Sequence, residues 1–191
     1  MMLTRTKPLH LFNYDRFKEP DISRKEQHMQ WELFTSKAKL RLVEQNNRVI
    51  ITCGYEIPLG EVIIEKKRID LVAYDEERNL YIIETKFTNG SGSINMAAEQ
   101  VRAYAEELLK NIVRIDQQFQ ELKGDSWSLN EPFRQIVLAP KSYYNHKRSP
   151  GVDIGESILF LTFKQTDEYT GLDSVRGEDG FVDLIEYQWK R

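Results

Sequence analysis

The stretch RIDLVAYDEERNLYIIETKF, residues 68–87, decides how the rest of the chain is read. Arg68 to Tyr74 and Leu80 to Phe87 are rich in β-branched and aromatic residues, the composition of half-buried strands. The polar run Asp75-Glu76-Glu77-Arg78-Asn79 separates them and reads as a turn. If that turn centres on Glu77, Asp70 falls opposite Glu84. Side chains directly opposite in an antiparallel pair stand about 5 Å apart on one face. Side chains alternate along a strand, so Lys86 joins Glu84 on that face. Two acids facing each other repel unless a cation lies between them. Two acids and a lysine on one patch suit a divalent metal with a lysine beside it.

The remaining composition narrows the setting of this hairpin. The 191 residues suffice for one domain with a substantial core. Hydrophobic residues make up 40% and charged residues 30%, an ordinary globular balance. A formal net charge of -3 gives no global basic field, so a nucleic-acid partner must be met by a local patch. The single cysteine, Cys53, rules out an intrachain disulfide and fits a reducing cytosol. No signal-peptide or membrane-spanning run stands out, which makes a cytoplasmic chain the expectation.

In chain order, residues 1–22 read as an irregular arm. Ser23 to Glu44 reads as a helix, with Met29, Leu33, Leu40 and Val43 near one face and Ser23 with Glu26 as a capping box. A strand from Arg48 to Cys53 precedes the central hairpin. The Asn89-Gly90-Ser91-Gly92-Ser93 loop then leads into a long helix from Ile94 to Leu122. Further strands are expected at Phe133–Leu138, Ser157–Phe163 and Phe181–Trp189. This order predicts a single α/β domain whose mixed central sheet has an α-β-β-β-α-β core plus C-terminal strands. Its parts are an arm at 1–22, a core at 23–140 and a C-terminal extension of the sheet at 141–191.

Asp70, then Glu84-Thr85-Lys86, then Gln100-x-x-x-Tyr104 on the following helix resemble the PD-(D/E)XK nuclease superfamily. The Gln-x-x-x-Tyr element is similar to its RecB-like branch, and the likeness spans residues 23–138. Ile69 stands where the family has proline. Phosphodiester hydrolysis needs a cation that polarises the phosphate and lowers the pKa of water. Mg²⁺ accepts one or two carboxylates and keeps several waters. Asp70 and Glu84 are the expected metal ligands. The resemblance adds the Thr85 carbonyl and an acid from the first helix, for which Glu32 is preferred over Glu26 and Glu44. It also implies that Lys86 positions water, stabilises phosphate charge or serves as a weak base. Gln100 and Tyr104, one helical turn apart, would project toward the same place.

The expected cofactor is therefore Mg²⁺ or Mn²⁺, and the expected substrate is DNA ahead of RNA, with a homodimer where both strands are cut. Glu-x-Lys alone is weak evidence, because Glu65-Lys66-Lys67 and Glu121-Leu122-Lys123 repeat it. Pro20-Asp21 reads as a helix-entry turn. Lys66-Lys67-Arg68, and Tyr143-Tyr144 with His146-Lys147-Arg148, have the basic and aromatic composition of a strand-binding surface. The rival reading is a catalytically silent nucleic-acid-binding or accessory module, and a two-carboxylate glycosidase ranks last because it leaves Lys86 unexplained.

Overall fold

The structure is a computed structural model, and it describes residues 19–58, 68–87, 92–124, 128–147 and 157–189. The arm before residue 19, Lys66, Lys67, Arg148 and most of the glycine-serine loop lie outside the described residues. The chain runs α1 (Lys25–Thr35), β1 (Lys39–Leu42), β2 (Arg48–Pro58), β3 (Arg68–Tyr74) and β4 (Asn79–Thr85). It continues through α2 (Ile94–Leu109), α3 (Ile112–Lys123), β5 (Asn130–Leu138), α4 (Lys141–Asn145), β6 (Ile158–Phe163), α5 (Leu172–Val175) and β7 (Val182–Glu186).

The seven strands close into a barrel in sequence order, and this corrects the expected open α/β sheet. Closure comes from β1, which pairs antiparallel with β2 and parallel with β7, Leu40 facing Val182 and Leu42 facing Leu184. The helical reading of Ser23 to Glu44 concealed that strand. Helix α1 ends at Thr35, Lys37 takes a left-handed φ of 49°, and Lys-Leu-Arg-Leu then alternates exposed and buried. Leu40 with Val43 satisfies a helical spacing, and Leu40 with Leu42 a strand alternation. The partner that decides between them lies far along the chain.

The barrel separates two packed layers. All seven strands send residues into one cluster, among them Leu40, Ile50, Leu71, Tyr81, Ile83, Leu138 and Leu184, and α1 and α5 pack against it with Met29, Leu33, Phe34 and Val175. Val72, Leu80, Ile82 and Val137 join a second cluster with α2 and α3. The alternation of β3 and β4 divides these sets: Leu71, Ala73, Tyr81 and Ile83 go to the first, Val72, Leu80 and Ile82 to the second. Strand β4 is buried along its whole length. At the β2 bulge between Thr52 and Gly54, a Cβ on Gly54 would stand 3.2 Å from that of Val72, which explains the glycine there.

The single long helix expected over Ile94–Leu122 is two helices. The Asn111 side chain donates to the Glu107 carbonyl at 3.2 Å and its N–H to the Leu108 carbonyl, local bonds that compete with helix continuation. Helices α2 and α3 together make the crossover that lets β5 run parallel to β4. Among the described residues no helix is long and apolar enough to cross a membrane.

Candidate metal and phosphodiester site

The β3–β4 ladder pairs Leu71 with Ile83, Val72 with Ile82, Ala73 with Tyr81 and Tyr74 with Leu80, the register that a turn centred on Glu77 predicts. Extended one step beyond its last pair, that register sets Asp70 against Glu84 at the open end of the hairpin. Glu84 and Lys86 are buried, at 2% and 8% exposure, and Asp70 is half-buried. Two ionisable acids and a lysine at such depth need mutual compensation.

Each group has a defined partner. The Lys86 ammonium is ion-paired with Glu84 Oε1. Asp70 Oδ2 accepts the Thr85 N–H at 2.8 Å and the Thr85 hydroxyl at 2.9 Å. The Gln30 amide, buried on α1, donates to the same hydroxyl at 2.6 Å. A chain Gln30–Thr85–Asp70 thus ties the first helix to the site. Glu84 Oε2 differs: it is buried and has no hydrogen-bond partner among the described residues, save that the Asp70 carboxyl can donate to Glu84 when protonated.

Electrostatics follow this geometry. Burial and the Glu84 charge push the Asp70 carboxyl well above the usual range, against the bond from Thr85 and the charge of Lys86. Burial also raises Glu84, although Lys86 opposes it. Burial would lower Lys86, but Glu84, Asp70 and Glu26 outweigh it, and the ammonium is held charged. That setting favours a cationic role for Lys86 over a base.

The first helix supplies Glu26, not the preferred Glu32. Glu26 Oε2 accepts the Phe87 N–H at 3.0 Å, and burial raises its carboxyl while Lys86 opposes. Glu32 instead accepts the Tyr169 hydroxyl at 2.8 Å and lies 3.3 Å from His28 Nδ1. Glu44 accepts the Glu186 N–H at 3.2 Å. The expected capping box is absent as well: Arg24, whose side chain has no acceptor, occupies the cap, and Glu26 is turned to the hairpin.

Gln100 and Tyr104 on α2 approach each other at 3.5 Å between amide and hydroxyl. Burial, then the charges of Glu84 and Asp70, raise the Tyr104 phenol to about 12, so this helix turn belongs to the same electrostatic neighbourhood. The surface role expected for Lys141 to Arg148 needs correction. Lys141–Asn145 forms α4, and Tyr143 and Tyr144 are buried at 0% and 1% exposure. Arg68 is exposed and bonded to Glu56 at 2.5 Å.

Comparison with known proteins gave no match to a family model, a curated protein or a solved structure.

Among the described residues no group of three or more His, Cys, Asp or Glu stands in metal-ligand geometry. The protein's share of a cation shell would be Asp70, Glu84 and the Thr85 carbonyl, with water for the rest. Such a shell fits Mg²⁺ or Mn²⁺, which need few protein ligands. The unpartnered, buried Glu84 Oε2 is the acceptor that a hard cation would satisfy. Gln30 escaped sequence reasoning, though a signal existed: it stands one helical turn after Glu26 and beside the buried Met29.

Proposed function

We propose that this chain is a metal-dependent nuclease of the PD-(D/E)XK kind, hydrolysing phosphodiester bonds in DNA ahead of RNA. The reading rests on the site residues, since the closed barrel is not the open sheet expected from that resemblance. Its main support is Glu84: a buried carboxylate with one oxygen on Lys86 and the other unpartnered, opposite Asp70.

Asp70, Glu84 and the Thr85 carbonyl would hold Mg²⁺ or Mn²⁺, which supplies Lewis acidity toward the phosphate and acidifies water. The chain's own residues have separate tasks. Thr85 fixes the Asp70 carboxylate through two donors, and Gln30 fixes Thr85. Lys86, held protonated, stabilises the negative charge that develops on the phosphate. Tyr104 and Gln100 close the α2 side. Cutting both strands of a duplex would take two copies of the site.

Asp70→Ala and Glu84→Ala test this reading with plasmid and single-stranded DNA, with Mg²⁺ and with chelator. Cleavage by the wild type should need Mg²⁺ and fall by at least 100-fold in each variant, with circular dichroism unchanged. Cleavage that survives both substitutions overturns the assignment. Binding without cleavage by the wild type identifies the silent accessory module instead.

A further inference from the structure

Tyr143 and Tyr144 are adjacent on α4 and equally buried, but their hydroxyls are provided for differently. The Tyr144 hydroxyl donates to the Val137 carbonyl at 2.8 Å and stands 3.1 Å from the Leu161 carbonyl. The Tyr143 hydroxyl is buried with no hydrogen-bond partner among the described residues. An unsatisfied buried hydroxyl costs about 1–3 kcal/mol, so its retention asks for a reason.

Position supplies one. Helix α4 leaves the end of β5, where the Leu138 carbonyl accepts the Lys86 N–H at 2.9 Å. Tyr143 packs with Ile94, the first residue of α2, and Ala139. After burial itself, the groups that act on its phenol are Lys86, Glu26 and Glu84. The Lys147 ammonium covers the Tyr143 ring at 5.0 Å from its centroid, and the two orphaned buried polar atoms, Glu84 Oε2 and Tyr143 Oη, share the neighbourhood of the Lys86 ammonium. That ammonium now has Glu84 as its hydrogen-bond partner.

We infer that Tyr143 is a positioning residue for Lys86: its phenol oxygen receives the ammonium when Glu84 is engaged by a divalent cation. This rests on the metal-site reading above. A cation on Glu84 competes with Lys86 for that carboxylate, and the released ammonium needs an acceptor in a buried setting. A phenol oxygen accepts a hydrogen bond without adding negative charge to a site already holding three carboxyls. The ammonium is thereby kept at the site and oriented for the phosphate. No covalent bond changes in this step.

The test uses the full chain labelled with ¹³Cζ-tyrosine, titrated with Mg²⁺ alone and followed by NMR, with Mg²⁺ binding measured separately by calorimetry. The resonance lost in Tyr143→Phe identifies Tyr143. It should shift on Mg²⁺ addition in the wild type and stay fixed in Lys86→Met. Tyr143→Phe should retain Mg²⁺ binding and lose about tenfold in kcat with KM unchanged, as expected for a misplaced catalytic group. A Tyr143 resonance that ignores bound Mg²⁺, or that shifts equally without Lys86, overturns the inference. Absence of Mg²⁺ binding overturns the metal-site reading and this inference with it, while binding with a silent Tyr143 sinks the inference alone.

Discussion

The two ends of the β3–β4 hairpin each bury a carboxylate, and they treat it in opposite ways. At the turn, Asp75 Oδ1 accepts the Asn79 N–H at 2.9 Å. Its Oδ2 accepts from the Asn79 amide, the Tyr81 hydroxyl and Arg48, each at 2.8 Å. Burial alone would raise this carboxyl, but the bonds from Asn79, Arg48 and Tyr81 outweigh it and hold Asp75 below its usual range. At the open end, Asp70, Glu84 and Glu26 share the single ammonium of Lys86, and all three carboxyls are raised. One end is satisfied and fixes the register. The other is left short of positive charge, and that shortage is what the proposed metal site rests on.

The sharpest way to break this contrast is Asp75→Ala. It strands the buried Tyr81 hydroxyl and Asn79 amide and leaves Arg48 only its ion pair with Glu77, so the loss should be about 3 kcal/mol in urea unfolding. Cleavage per folded molecule should stay near wild type. A loss below ~1 kcal/mol would show that the turn does not hold the hairpin in the manner described here.

Asp70→Asn should have the opposite sign. Removing a repelled, buried charge stabilises the fold by about 1 kcal/mol near pH 7 while cleavage disappears, the trade-off expected of a functional site. The pH dependence gives a smaller, independent check. Asp70 and Glu84 bind protons more tightly folded than unfolded, where carboxyls titrate near about pH 4. Their effect is thus to lower stability as pH rises from about 4 through their raised values, and Asp70→Asn should flatten that slope. Asp75 acts the other way: its contribution is present above the unfolded value and is lost as pH falls through its depressed one. Urea midpoints from about pH 2 to 8 for the wild type and both variants separate the two ends, Asp75→Ala changing the slope below about pH 4 and Asp70→Asn above it. Parallel curves would contradict the assigned difference.

What was legible in the sequence follows the range of the forces involved. The hairpin register could be read because its turn and both strands lie within 20 consecutive residues, and the pairing of Asp70 with Glu84 followed from it. Strand β1 could not, because its closing partner β7 lies 142 residues away, the span from Arg41 to the Asp183 carboxylate it bonds at 2.5 Å. Without β1 the barrel reads as an open sheet. Glu26 fitted a capping box at the sequence level, and only the tertiary contact to Phe87 turns it into a neighbour of Lys86. Glu32, preferred for its place beside Leu33, stands with Tyr169, whose hydroxyl donates to its carboxylate, a contact that proximity to Leu33 does not reveal. Tyr143 looked like a surface aromatic because basic residues follow it. Burial came from the packing of α4 against α2 and β5, which local composition does not encode.

The most direct test of the central claim is calorimetric titration of Mn²⁺ into the wild type and Glu84→Gln at fixed pH and salt. The orphaned Glu84 oxygen opposite Asp70 predicts binding by the wild type that weakens at least tenfold in the variant, with both proteins fully folded. Wild-type chain that binds no Mn²⁺, or a variant that binds it equally well, would contradict the account.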